Sequence, residues 1–226
     1  MQCIDTTAIA ALANSPAAPE AAIRPGTTFV PRLAHAPQIA RAQHAAPAAH
    51  THLVTGGTGG LGLLTARWLA QRGAARALAL ASRAGVLARS SLAEWAAVRV
   101  THTHALVQRC DAAEGDHLGR LVIVNGTPSA GVWHAAGVLA DGVLPGQLAG
   151  ALARVYAPKA HGAWALHCAC ATAVVAVCAL FSSVAALLGG AGQANYAAAN
   201  ACLDALGGRR RECARATTSV QWGAWA

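Results

Sequence analysis

Charged side chains are scarce in this sequence, only 12% of 226 residues, while 55% are hydrophobic. That balance excludes a chain too polar to bury a core. Much of the apolar count is alanine, so it overstates core volume, but the length suits one domain with appended tails. A disulfide framework is also lacking. The seven cysteines are odd in number and irregularly spaced. His167, Cys168 and Cys170 form a C-x-C run inside an apolar stretch, a poor match to zinc pairs, so no metal is expected. These cysteines read as buried, inert thiols in a reducing, intracellular and cytoplasmic setting. The N-terminus has no basic start leading into an apolar stretch, so no secretory signal is visible. The longest apolar run, 168–181, is shorter than the roughly 20 residues that cross a bilayer, so no membrane partner is expected. The net charge is +8. Its only cluster is Arg209, Arg210 and Arg211 at a helix end, where cations complement the dipole. Without a basic stripe interleaved with aromatics, nucleic acid is not the expected partner. A polyanionic cofactor uses the charge more simply.

What is present alternates. Residues 1–50 are rich in alanine and proline and read as a linker or the remnant of an upstream structural subdomain. From there, strands are expected at 52–55, 77–81, 105–109, 131–134, 174–181 and 217–222. Helices are expected at 61–71, 91–98, 148–170 and 196–211, while 116–130 looks short and irregular. Strands apolar on both faces, alternating with helices, predict an α/β fold: a Rossmann-like, doubly wound parallel sheet in a single catalytic domain over 51–226. Such sheets bind ligands beyond the carboxyl ends of their strands. Gly57, Ser82, Arg83, Asp111, Ala135, Ala136, Gly137 and Ser183 all fall at those ends.

The first strand runs into Thr55-Gly-Gly-Thr58-Gly59-Gly60-Leu61-Gly62, which holds G-x-G-x-x-G as Gly57, Gly59 and Gly62. A strand before and a helix after make this a pyrophosphate cradle, where glycines let amides approach and the helix presents its positive end; an ordinary flexible loop is the alternative. The second strand ends at Ser82-Arg83 with no carboxylate for ribose hydroxyls. A hydroxyl and a guanidinium suit a 2′-phosphate, hence NADPH; an ordinary surface arginine is the alternative.

Tyr196 and Asn200 lie four apart and share a helix face. Ser183 precedes Tyr196 by 13 residues and Lys159 by 37. Singly, each has a plain structural reading. Together with the phosphate loop they form a reductase set. The tyrosine gives a proton to a carbonyl oxygen, and an ammonium lowers its high pKa. The serine donates to the same oxygen, and the asparagine holds a water or orients the lysine.

The runs Leu-Val-Thr-Gly-Gly-Thr-Gly-Gly-Leu-Gly62, Trp-His-Ala-Ala-Gly-Val138, Leu-Phe-Ser-Ser183, Gly-Gln-Ala-Asn-Tyr-Ala-Ala-Ala-Asn200 and Ser-Val-Gln-Trp-Gly-Ala-Trp225 resemble the ketoreductase domains of polyketide synthases, which are extended short-chain dehydrogenases/reductases. The resemblance spans about 51–226. It implies NADPH-dependent reduction of a β-ketoacyl thioester carried on the phosphopantetheine arm of an acyl carrier protein, beside neighbouring synthase domains. It also implies that lysine and asparagine are exchanged relative to free-standing reductases, as Lys159 and Asn200 are. An animal-type fatty acid synthase ketoreductase shares this arrangement, and a non-catalytic structural remnant is a further alternative. Leu139-Ala140-Asp141 keeps only the last acid of a Leu-Asp-Asp signature, and Leu188 stands where a tryptophan marks the other class, so the resemblance leans to the D-hydroxy outcome. Phe29-Val-Pro-Arg-Leu33 resembles the tail of the family's structural subdomain. The domain reads as truncated at both ends, with the covering lid absent.

Overall fold

The structure is a computed structural model that describes residues 22–24, 27–29, 50–124, 127–171, 173 and 175–223. The chain divides into two units, 1–44 and 45–226. In the first, Ala22–Arg24 pairs antiparallel with Thr27–Phe29. Most of the expected linker, residues 30–33 and residues 224–226 lie outside the described residues.

The second unit is built on a parallel sheet of β1 (His50–Thr55), β2 (Ala75–Ser82), β3 (His104–Arg109), β4 (Gly131–His134), β5 (Val177–Ser183) and β6 (Thr218–Trp222). Its spatial order is β6-β5-β4-β1-β2-β3. Alternate side chains explain why both faces are covered. Leu53 points into a cluster with Ala79, Val132, Leu118 and Leu166. Its neighbour Val54 points the other way, into Leu78, Leu80, Leu63, Leu69 and Val98. Leu53, Val54, Leu78 and Leu80 are 0% exposed, and each is worth roughly 1.5–3 kcal/mol of burial. The first cluster is closed by α3 (Gly115–Val122) and α5 (Gly162–Ala169), and the second by α1 (Gly60–Gln71) and α2 (Leu92–Arg99). Between α3 and β4, Ile123–Val124 and Thr127–Pro128 form a small antiparallel pair. The chain then runs through α4 (Ala149–Tyr156), a π-helical turn (Ala157–His161) and α5, and later through α6 (Ala185–Leu188) and the 19-residue α7 (Ala194–Glu212).

Three expectations need correction. The first half of the segment expected to be irregular, 116–122, lies in α3, because Leu118 and Val122 are one turn apart and both buried. The fifth strand begins at Val177, not 174. Ala176 and Val177 both direct their amides at the Ala130 carbonyl, which ends the ladder there; residue 174 lies outside the described residues. Cys168 is exposed rather than buried, since it lies about 200° around α5 from buried Leu166.

The strand order reverses between β1 and β4, and this leaves a crevice at the carboxyl edge. The residues at that edge are Thr55, Ser82, Arg109, His134, Ser183 and Trp222.

Candidate active site

The loop after β1 is shaped by glycine. Gly56 has φ +67°, and a Cβ there would lie 2.7 Å from the Ala135 carbonyl carbon. A Cβ on Gly57 would lie 2.7 Å from the Val54 carbonyl oxygen, and one on Gly62 would overlap the Gly56 carbonyl. The backbone therefore packs tightly on the tips of β1 and β4 and opens towards the crevice. Helix α1 begins there without a side-chain cap or an acid in its first turn. Its amides remain directed at an incoming anion.

Two cavities meet over this loop. One, about 600 Å³, is lined by Gly56, Gly59, Gly60, Leu61, Gly62, Ala135, Gly137, Lys159, Ser183 and Tyr196. The other, about 540 Å³, shares Gly56, Gly59, Ala135 and Gly137 and adds Ser82, Arg83, Asp111 and Ala136. The expected catalytic and nucleotide residues are thus divided between two halves of one crevice. Thr55 and Gly57 are buried and line neither half. Asn200 is 0% exposed and lies behind the lysine. Thr58 and Leu188 are also absent from both linings. Asp141 is exposed and accepts a 3.2 Å hydrogen bond from Gln193, which does line the larger cavity. Ser82 Oγ accepts from the Gly85 amide, and Asp111 Oδ1 from the Ala113 amide, so both shape their loops.

Lys159 is the only lysine in the chain. It sits in the π-helical turn, where Pro158 lacks the amide that an α-helical ladder needs. Its Nζ donates to Asn200 Oδ1 at 2.9 Å and to the Phe181 carbonyl at 3.0 Å, and lies 5.0 Å from the centre of the Tyr196 ring. Asn200 is held in turn by donating to the Tyr196 carbonyl at 2.8 Å. Asn200 thus links the ammonium to the backbone of Tyr196. Lys159 is 5% exposed, and burial pushes its pKa down to about 8. Ser183, expected just past the fifth strand, is its last residue, and its Oγ accepts from the Ala185 amide at 3.2 Å.

Sequence reasoning passed over several lining residues. Gly56 is the one glycine of the loop with positive φ, and its signal was its place directly after the strand. Arg109 lines a cavity of about 450 Å³ with Arg83, Asp111 and His117. Its signal was the pairing of strand ends, since it stands opposite Ser82. Among the described residues, no group of three His, Cys, Asp or Glu could hold a metal, and no helix is long and apolar enough to cross a membrane.

The family model for the KR domain matches residues 50–226. This chain belongs to the KR domain family, as a ketoreductase domain of the polyketide synthase type. It is 43% identical over 211 residues to polyketide synthase GfsA of Streptomyces halstedii, covering 92% of this chain and 3% of that protein. It is 41% identical over 176 residues to erythronolide synthase EryA2 of Saccharopolyspora erythraea, covering 78% of this chain and 5% of that protein. A solved structure of A-type ketoreductases from a modular polyketide synthase superposes with a TM-score of 0.88 at 35% identity, over 100% of this chain and 49% of that one. The first ketoreductase of the tylosin synthase gives 0.82 at 36%, over 97% and 48%. The KR domain here thus spans only 3% and 5% of these two synthases and about half of the solved ketoreductase chains.

Proposed function

We propose that this KR domain reduces a β-ketoacyl thioester to the β-hydroxyacyl thioester with NADPH, in the cytoplasm, on a substrate delivered by an acyl carrier protein among neighbouring synthase domains. The observation that carries the reading is the convergence of Ser183, Tyr196 and Lys159 on the cavity that also contains the phosphate loop. The glycine cradle fits a pyrophosphate, because it offers amides and no Cβ where the group must approach. Arg83 and Arg109, with Ser82 next to the one in sequence and paired with the other across the strands, supply donors for a 2′-phosphate.

NADPH, when bound, supplies the hydride that reaches the β-carbon of the thioester. The Tyr196 hydroxyl donates a proton to the ketone oxygen as that carbon becomes tetrahedral. Ser183 Oγ donates to the same oxygen and stabilises its growing negative charge. An ammonium on Lys159, fixed by Asn200 and the Phe181 carbonyl, favours the charged form of the tyrosine that remains after proton transfer. The complete set of four residues supports turnover over a non-catalytic remnant. Asp141, which bonds the lining residue Gln193, and Leu188, whose chain neighbour Gly189 lines the larger cavity, are assigned to placing the acyl chain for the D-hydroxy product. The test is to follow NADPH consumption with a β-ketoacyl N-acetylcysteamine thioester. Steady consumption that falls about 100-fold in Ser183→Ala is expected, whereas NADPH binding without any turnover would leave only a binding module.

A further inference from the structure

His134, the last residue of β4, is 0% exposed and touches neither cavity. Both ring nitrogens are engaged. Nε2 lies 3.0 Å from the Lys159 carbonyl oxygen and Nδ1 lies 2.7 Å from Thr55 Oγ1. A carbonyl only accepts, so Nε2 carries the proton; Nδ1 is then the acceptor, and the Thr55 hydroxyl donates to it. Burial pushes the imidazole pKa down to about 4, which keeps the ring neutral and preserves this pattern. Gly162 leaves room for the ring, since a Cβ there would lie 3.0 Å from His134 Cε1.

The two ends of this bridge belong to different halves of the site. Thr55 ends the strand that leads into the phosphate loop, and Lys159 is the buried cation in the π-helical turn. We propose that His134 is a positioning residue: a neutral strut that ties the π-helical turn to the end of β1 and thereby sets Lys159 Nζ between Asn200 and Tyr196. Its effect on rate rests on the reductase reading; its effect on Lys159 does not. Without the strut, the turn loses its tie to the sheet and the ammonium moves towards the open crevice and water. The charged or titrating groups acting on Lys159 are Tyr196 and Asp204 from α7, with His134 from β4. The variants below leave Tyr196 and Asp204 in place.

Because Lys159 is the only lysine, protein labelled with ¹³C at the lysine ε-carbon gives one signal for its titration. The wild type should titrate near pH 8, as its burial dictates. In His134→Phe the midpoint should rise by more than about one pH unit towards the solvated value. The kcat should fall about tenfold or more while the KM for NADPH changes less than about threefold, the split expected when a group serves chemistry and not binding. His134→Gln, which can still donate to the carbonyl and accept from the hydroxyl, should recover both midpoint and kcat. If His134→Phe does not fold, Thr55→Val removes the far end of the strut alone, and the same upward midpoint shift is then required. A midpoint that stays near the wild-type value in whichever of the two variants folds overturns the proposal, as does a glutamine variant no better than the phenylalanine one. If the wild type binds NADPH without turning over, the reductase reading fails, and the lysine midpoint still decides the role of His134.

Discussion

Replacing Lys159 by methionine should separate stability from activity along the pH axis. Burial lowers the lysine pKa from its ordinary 10.5 to about 8. Holding the charged form inside the fold therefore costs about 3 kcal/mol at neutral pH. The sign follows from proton counting. Between pH 8 and 10.5 the unfolded chain binds a proton at this site that the folded chain has released, so stability contributed by this residue rises with pH. Below pH 8 both states carry the proton, and the cost is present in full. In the proposed reduction, proton transfer assisted by the ammonium should run the other way and decline as pH rises through about 8. Urea unfolding of cofactor-free wild type and Lys159→Met, compared from pH 7 to 10, isolates the term, because the other titrating groups are common to both. The wild type should gain up to about 3 kcal/mol on the variant across that range while its kcat falls. Parallel stability curves, with the lysine ε-carbon titrating near its ordinary value, would refute the argument that this ammonium is held at a desolvation cost.

Gly56→Ala forces a left-handed backbone on alanine and drives its Cβ against the Ala135 carbonyl. A loss of about 2–4 kcal/mol is expected, read as a Tm drop by calorimetry. Gly137→Ala instead presses on Lys159 Cε, 2.9 Å from the new Cβ. The flexible lysine end can yield, so kcat should fall about tenfold or more while Tm moves by only a few degrees. Arg109→Ala should weaken binding of 2′,5′-ADP about tenfold and leave 5′-AMP unchanged, as Arg83→Ala should, by fluorescence titration or calorimetry. Equal losses for both nucleotides would assign these arginines to general attraction of anions.

The fold was legible because strand and helix differ in apolar period. Leu53 and Val54 are adjacent and both buried, as a strand in a sheet covered on two faces permits. Strand limits were harder. The apolar run before β5 extends past its register, and pairing with Gly131, not hydrophobicity, sets the start at Val177. Helix α3 was hidden because Gly115 and Gly119 weaken the helical pattern that Leu118 and Val122 carry. Within the site, residue type and spacing single out Tyr196, Asn200, Lys159 and Ser183, and the structure gathers Ser183, Tyr196 and Lys159 at one cavity with Asn200 hydrogen-bonded to the lysine. His134 was not singled out, since a histidine at a strand end gives no sign of what its two nitrogens meet. Arg109 was missed for a similar reason: its relation to Arg83 arises across strands, from the β2–β3 register.

In the proposed reaction, Tyr196 gives the proton that completes a ketone reduction. The most direct test of this role is NADPH consumption by wild type and Tyr196→Phe with the same β-ketoacyl thioester, with NADPH binding measured on both samples. Turnover in the wild type, a loss of about 100-fold or more in the variant, and NADPH affinity within about threefold for the two are expected. Equal turnover in both proteins, or a wild type that neither binds nor consumes NADPH, would contradict it.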